Sequence, residues 1–147
     1  MLTIYPACFF KEENGYSVIF PDLENGLLAT CGADLEEAIR MSVDCLAGYI
    51  HTAQMLGENL PSASELREVD INKVATAVYE KDDDYIDAFV NMVSVDVELY
   101  AKEHFEKSVK KTLTIPVWLN DLAMECNINF SQVLQEALIA KVRRERL

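Results

Sequence analysis

The residues in this sequence with types and spacing suited to chemistry are few. Asp82-Asp83-Asp84 gathers three carboxylates but lacks the glycine and the terminal glutamate spacing of a calcium loop, so a solvated acidic loop is expected. His51 and His104 have no Cys or His at ligand spacing and read as surface or boundary histidines. Cys8, Cys31, Cys45 and Cys126 contain no C-x-x-C pair and are expected to be reduced thiols packed as small core residues. No metal site or cofactor is expected. The remaining candidate is Val109 to Pro116, VKKTLTIP, where Lys110, Thr112 and Thr114 alternate with Val109, Leu113 and Ile115. As a strand this segment has one apolar face and one face of Lys, Thr and Thr. That polar face could meet DNA or could be an ordinary solvent face, and periodicity alone leaves the two about even.

The elements that must position these residues follow from charge and pattern. The chain has 147 residues, half of them hydrophobic and 26% charged, the profile of a folded soluble protein of one ordinary domain or two small ones. Apolar runs fall well short of the roughly 18 residues needed to cross a bilayer. Met1 to Phe10 lacks a basic start and a small-residue cleavage site, so no secretory signal and a cytoplasmic location are expected. The net charge of −12 argues against nucleic-acid binding by the chain as a whole. It is unevenly spread: residues 1–106 hold 6 Lys+Arg against 21 Asp+Glu, net −15, whereas residues 107–147 hold 7 against 4, net +3. Two parts, an acidic body (1–106) and a basic tail region (107–147), are expected to meet different partners.

In the body, Leu2 to Phe10 reads as a strand, with Pro6 pointing to an edge position or a bulge. Asn14-Gly15 supplies a left-handed turn into a second strand, Tyr16 to Phe20, and Leu27 to Cys31 follows as a third. Asp34 is an N-cap with Glu37 to close a capping box, and Leu35, Ile39, Val43, Leu46, Ile50 and Ala53 line the apolar face of a helix that ends at Gly57 and Pro61. Asp70 to Tyr79 reads as a short helix, Ala88 to Val95 as a fourth strand of the same sheet, and Asp96 to Lys107 as a polar linking helix. The fold class is α+β.

In the tail region, Pro116 stops the strand and starts a helix carrying Trp118, a packing residue, and Leu119, Leu122, Ala123 and Cys126. Asn127 takes the left-handed turn, Asn129 caps a second helix with Gln132 at its N3 position, and Val133, Leu134, Ala137, Leu138 and Val142 are the candidates for burial. Lys141, Arg143, Arg144 and Arg146 suit the helix C-terminus. A strand and two helices in about forty residues cannot bury enough apolar area alone. Two copies solve this by pairing their strands antiparallel and interlocking their helices. The ribbon then presents Lys110, Thr112 and Thr114 from each chain, with a width that fits the major groove.

Residues 109–142, through KKTLTIP, WLNDLAMEC, NINFS and QVLQEALIAKV, resemble the ribbon-helix-helix family of bacterial repressors. The resemblance implies base contacts by Lys110, Thr112 and Thr114. It also implies a phosphate held by backbone amides at Asn129, Phe130 and Ser131, a role open to an exposed helix N-terminus. Phe130 stands where the family often carries a cation. The body resembles the HicB antitoxin family through Tyr5-Pro6-Ala7, Gly15-Tyr16, Phe20-Pro21-Asp22-Leu23 and Glu36-Glu37-Ala38, with Glu24-Asn25-Gly26 replacing the usual Pro-Gly. The order of the two parts is also that family's, and residues 60–106 are the least matched.

What this resemblance implies is an antitoxin with a partial ribonuclease H-like antiparallel sheet and packed helix, plus a C-terminal ribbon-helix-helix dimerisation domain. Its partners would be a HicA-type mRNA-cleaving toxin, operator DNA, and a second copy of itself or a higher oligomer. Asp22 and Glu24 are the candidate toxin contacts. A ribonuclease H-like active site carries its first carboxylate on the first strand, and Leu2 to Phe10 has none, so no catalytic residue is expected. A metal-dependent nuclease and a ligand-sensing repressor are the alternative readings.

Overall fold

The aromatic and β-branched run Leu2–Glu12 forms the longest strand, β1, of the computed structural model, which describes residues 1–106 and 108–146. Lys107 and Leu147, assigned to the tail region from sequence, lie outside the described residues, as do the side chains of Asp83 and Arg146. Contacts divide the chain into two compact units, Met1–Ser108 and Val109–Leu147.

In the first unit β1 pairs with β2 (Gly15–Phe20) and with β4 (Asp87–Asp96). With β3 (Leu28–Gly32) they form a four-stranded antiparallel sheet in the order β3-β2-β1-β4. The four strands read from sequence are therefore all present in one sheet. The first turn sits one residue earlier than expected: Glu12 pairs with Gly15, so Glu13 and Asn14 form the loop. Gly15 is the residue with positive φ, +147°, and a Cβ there would lie 2.4 Å from the Gly32 carbonyl oxygen.

Tyr5 to Phe10 is buried at every position, because helices cover both faces of the sheet. Tyr5, Ala7 and Phe9 share one core with Val18, Phe20, Val93, Val95, helix α1 (Leu35–Met55) and the start of α3 (Val97–His104). Cys8, Phe10 and Ile19 share the other with α2 (Ile71–Val78), Tyr79 and Tyr85. Phe9 stacks on its cross-strand partner Phe89 at 5.0 Å, and Phe10 meets Tyr79 and Tyr85 edge-on, each at 5.2 Å. Each large apolar side chain buried this way contributes about 1.5–3 kcal/mol.

Pro6 lies in an interior strand, yet the expectation of an edge holds locally. Pairing of β1 with β2 stops at Cys8–Ile19, so Leu2 to Ala7 has β4 alone as a neighbour. In an antiparallel ladder the N–H and C=O of one residue point to the same side and alternate along the strand. The amides of Ala88 and Met92 in β4 are taken by the side-chain oxygens of Asp87 and Asn91 and so face away from β1. Odd-numbered residues of β1 and β4 therefore bond to each other, and the donor that Pro6 lacks falls on the side β2 has vacated.

Asp34 caps α1 as expected, accepting from the Glu37 amide at 2.8 Å. Glu37 reaches back to the amide of Ala33 at 2.6 Å, one residue beyond the Asp34 amide that a capping box uses. The buried face departs from the expected one in the first two turns. Leu35 and Ile39 are 40% and 45% exposed, while Ala38 and Ser42 are buried instead. The cause is a close approach. A Cβ on Gly32 would sit 2.3 Å from the Ala38 amide nitrogen, so only small side chains fit where α1 crosses β3. The helix closes with a Schellman pair, Glu58 amide to Ala53 and Gly57 amide to Gln54, with Gly57 at φ +66°. Asp70 and Asp96 cap α2 and α3.

The thiols divide. Cys8 is buried and Cys45 half-buried, but Cys31 and Cys126 are exposed, so the expectation that all four pack as core residues fails for two. Burial, with help from Asp22, pushes the Cys8 thiol up to about 11; burial, Asp44 and Glu24 do the same for Cys45. Burial and a hydrogen bond donated to Glu12 also raise Tyr79. His51 tilts against Phe105 and His104 stacks on Tyr100.

Gly32→Ala is expected to destabilise the body by about 3 kcal/mol through overpacking against α1, read as a lowered urea midpoint. The raised thiols fix a pH response. Their contribution is complete below the ordinary thiol value near 9 and is lost as pH rises from there through about 11. Urea midpoints measured across that window should fall, less steeply in Cys45→Ala.

Candidate functional site

The candidate residues fall in both units. In the second, Pro116 precedes helix α4 (Val117–Glu125), and α5 spans Phe130–Arg146. The turn between them is fully built. Asn127 takes φ +53°, and the Ile128 and Asn127 amides bond to Ala123 and Met124 in a second Schellman pair. Asn129 accepts from the Gln132 amide at 3.1 Å, as its type predicts; the Gln132 side chain turns forward to Glu136 at 3.0 Å. With the Gln132 and Val133 amides used by Asn129, the amides of Phe130 and Ser131 point outward from the helix start. Lys141 pairs with Glu145 at 2.9 Å on a surface where such a pair contributes little.

In the single chain this unit departs from three expectations. Val109 to Pro116 forms no strand within this chain, and its residues, Lys110, Thr112 and Thr114 included, are exposed. A ladder needs a second strand, and the unit contains none among its described residues. The side chains expected to be buried on α5 are not: Val133, Leu138 and Val142 are about half exposed, Ala137 is exposed and Leu134 is half-buried. Trp118, expected to pack, is 64% exposed. Finished turns and caps thus coexist with exposed apolar side chains at Val109, Leu113, Trp118, Leu122, Val133 and Leu138.

In the first unit, Leu23 is fully buried and anchors the turn after β2, and its amide bonds to the Phe20 carbonyl. Both oxygens of Asp22 are engaged: Ser64 donates its amide to one and its hydroxyl to the other, each at 2.7 Å. The Tyr5 hydroxyl donates to the Pro61 carbonyl nearby. Asp22 therefore ties the segment after α1 across the end of the sheet. Glu24, at φ +49°, is exposed, and Leu27 beside it is 78% exposed. The sequence reading missed the exposed apolar residues Leu27, Ile86 and Leu99 and the open edge of β4. No local signal marks them, because exposure there depends on strand order.

Asp82 to Asp84 forms a single 3-10 turn. Among the described residues no group of three or more His, Cys, Asp or Glu is placed to hold a metal ion. No helix among them is long and apolar enough to cross a membrane.

Comparison with known proteins adds to this geometry. A family model described as a HicB-like antitoxin of a bacterial toxin–antitoxin system matches residues 5–137. A chain from a toxin–antitoxin complex of Streptococcus pneumoniae is 33% identical with a TM-score of 0.61, the match covering 96% of this chain and 99% of that one. The Burkholderia pseudomallei antitoxin HicB is 18% identical with a TM-score of 0.50 over 97% and 98% of the two chains, a likeness of fold alone. No curated protein matches.

Removing the Asp22 carboxylate leaves a partly buried amide and hydroxyl without their acceptor. Asp22→Ala should therefore cost about 2 kcal/mol in urea unfolding, and Ser64→Ala, which removes only the hydroxyl, should cost less.

Proposed function

The chain belongs to the HicB-like antitoxin family of bacterial toxin–antitoxin systems, and from that premise we propose that it neutralises a HicA-type mRNA-cleaving toxin and represses its own operon. The body, residues 1–106, is read as a partial ribonuclease H-like domain that covers the toxin. A protein that cleaves RNA must hold a polyanion and is expected to be basic, and a body at −15 attracts it and speeds association. The antitoxin acts by binding in the cytoplasm, with no chemistry of its own.

The tail region, residues 107–147, is read as a ribbon-helix-helix domain. The observation that carries this reading is the state of α4 and α5 in a single chain. Their caps and the turn between them are complete, while Leu122, Val133, Leu138 and Val142 remain about half exposed. Helices with finished ends and no shared core are explained by a second copy. Pairing also supplies the missing ladder partner for Val109 to Pro116. Lys110, Thr112 and Thr114 then face the major groove, and the outward amides of Phe130 and Ser131, held by the Asn129 cap, meet a phosphate.

The test uses the full-length chain, its own promoter DNA and the toxin encoded beside its gene. The triple variant Lys110→Ala, Thr112→Ala, Thr114→Ala should lose promoter binding by at least a hundredfold while toxin binding and rescue of growth persist. Wild-type binding should weaken by roughly 0.9 log units per neutralised phosphate for each tenfold rise in salt. Unchanged promoter affinity in the triple variant would remove the ribbon from the account.

A further inference from the structure

We propose that the toxin docks on the free edge of β4 by adding a strand of its own to the antitoxin's sheet. This rests on the antitoxin reading above and gives the toxin contact a place that is neither Asp22 nor Glu24.

β4 is an edge strand of ten residues, Asp87–Asp96, with β1 as its sheet neighbour. The alternation set out for β1 and β4 turns the amides and carbonyls of Ala88, Val90, Met92 and Ser94 away from β1. Among the described residues no backbone hydrogen bond from another segment meets these four on that side. Asp87 and Asn91 already hold the amides of Ala88 and Met92, at 2.8 and 2.9 Å, so Val90 and Ser94 are the open donors. Proteins ordinarily blunt such an edge with lysine, proline or a bulge. Ala88 to Val95 contains no charge and no proline. A long, uncharged edge with unused backbone groups is the template for strand addition. Ile86 and Phe89, 69% and 37% exposed, give an apolar anchor at one end.

Charge selects the occupant. Asp87 stands at one end of β4 and Asp96 at the other. Asp96 also holds the Met1 ammonium at 3.0 Å, and the exposed Glu98 beside it keeps that end negative. A second copy of β4 on this edge would bring together two bodies of −15 each. Repulsion between two bodies of the same sign disfavours that pair. A strand from a basic protein meets carboxylates at both ends instead. The edge is thus open to a basic toxin and closed to self-association by the same negative charge.

Ser94→Pro tests this. It deletes an outward donor and leaves the β1–β4 ladder intact, because the Ser94 amide does not face β1. Calorimetric titration of the full-length variant with the toxin should show binding at least tenfold weaker than wild type. In the wild-type complex, the Val90 and Ser94 amides should exchange with solvent at least tenfold more slowly than in the antitoxin alone. Wild-type affinity in a folded Ser94→Pro, or unchanged exchange at both amides, overturns the proposal. If Ser94→Pro does not fold, exchange in the wild-type complex decides alone. Slowed exchange that grows with antitoxin concentration before toxin is added assigns the edge to a second copy and also overturns it. Failure of the wild-type chain to bind the toxin at all overturns the antitoxin reading itself.

Discussion

The body is organised by the close approach of α1 to the end of β3. Gly32 leaves no room for a Cβ beneath Ala38, and the first turns of the helix meet the sheet through small side chains only. This lets Leu46, Ala47, Ile50 and Ala53 settle over the sheet farther along and fixes the helix's rotation. Once α1 covers one face, the other is left to α2, Tyr79 and Tyr85, and β1 is buried on both sides. The segment joining α1 to α2 must then cross the sheet's end, where Asp22 holds it at Ser64. Among the described residues none of these elements makes a backbone hydrogen bond to the outward side of β4.

The two units answer the same physical demand in opposite ways. The body buries two cores within one chain and carries a strong negative charge. The tail region finishes its turns and caps but leaves its apolar surface exposed. Under the proposed function these are two kinds of binding surface. One attracts a basic protein by charge and main-chain pairing. The other needs a copy of itself before it has a ribbon to show to DNA.

Much of this was legible in the sequence because the signals are local. Asp34, Asp70 and Asn129 announce helix starts by the hydrogen bonds their side chains accept two or three residues on, and Gly57 and Asn127 announce ends by tolerating a left-handed backbone. The four strands and the α+β class follow from patterns of similar range. Features that depend on distant neighbours were not legible. Leu35 and Ile39 fit the apolar period of α1, and only Gly32 and the crossing of β3 turn them outward. Val109 to Ile115 alternates as a strand does, but alternation cannot supply a hydrogen-bond partner. The placement of β4 beside β1 at the sheet's edge is a matter of topology, and with it went the edge as a candidate surface.

The exposed apolar helices of the tail region have a consequence for regulation on the proposed reading. If the DNA-reading form exists only as a pair, its amount varies with the square of the free-chain concentration when the pair is scarce. Halving the chain then lowers the reader fourfold. Repression would lift abruptly as synthesis slows, with a steepness set by mass action and needing no sensor of its own.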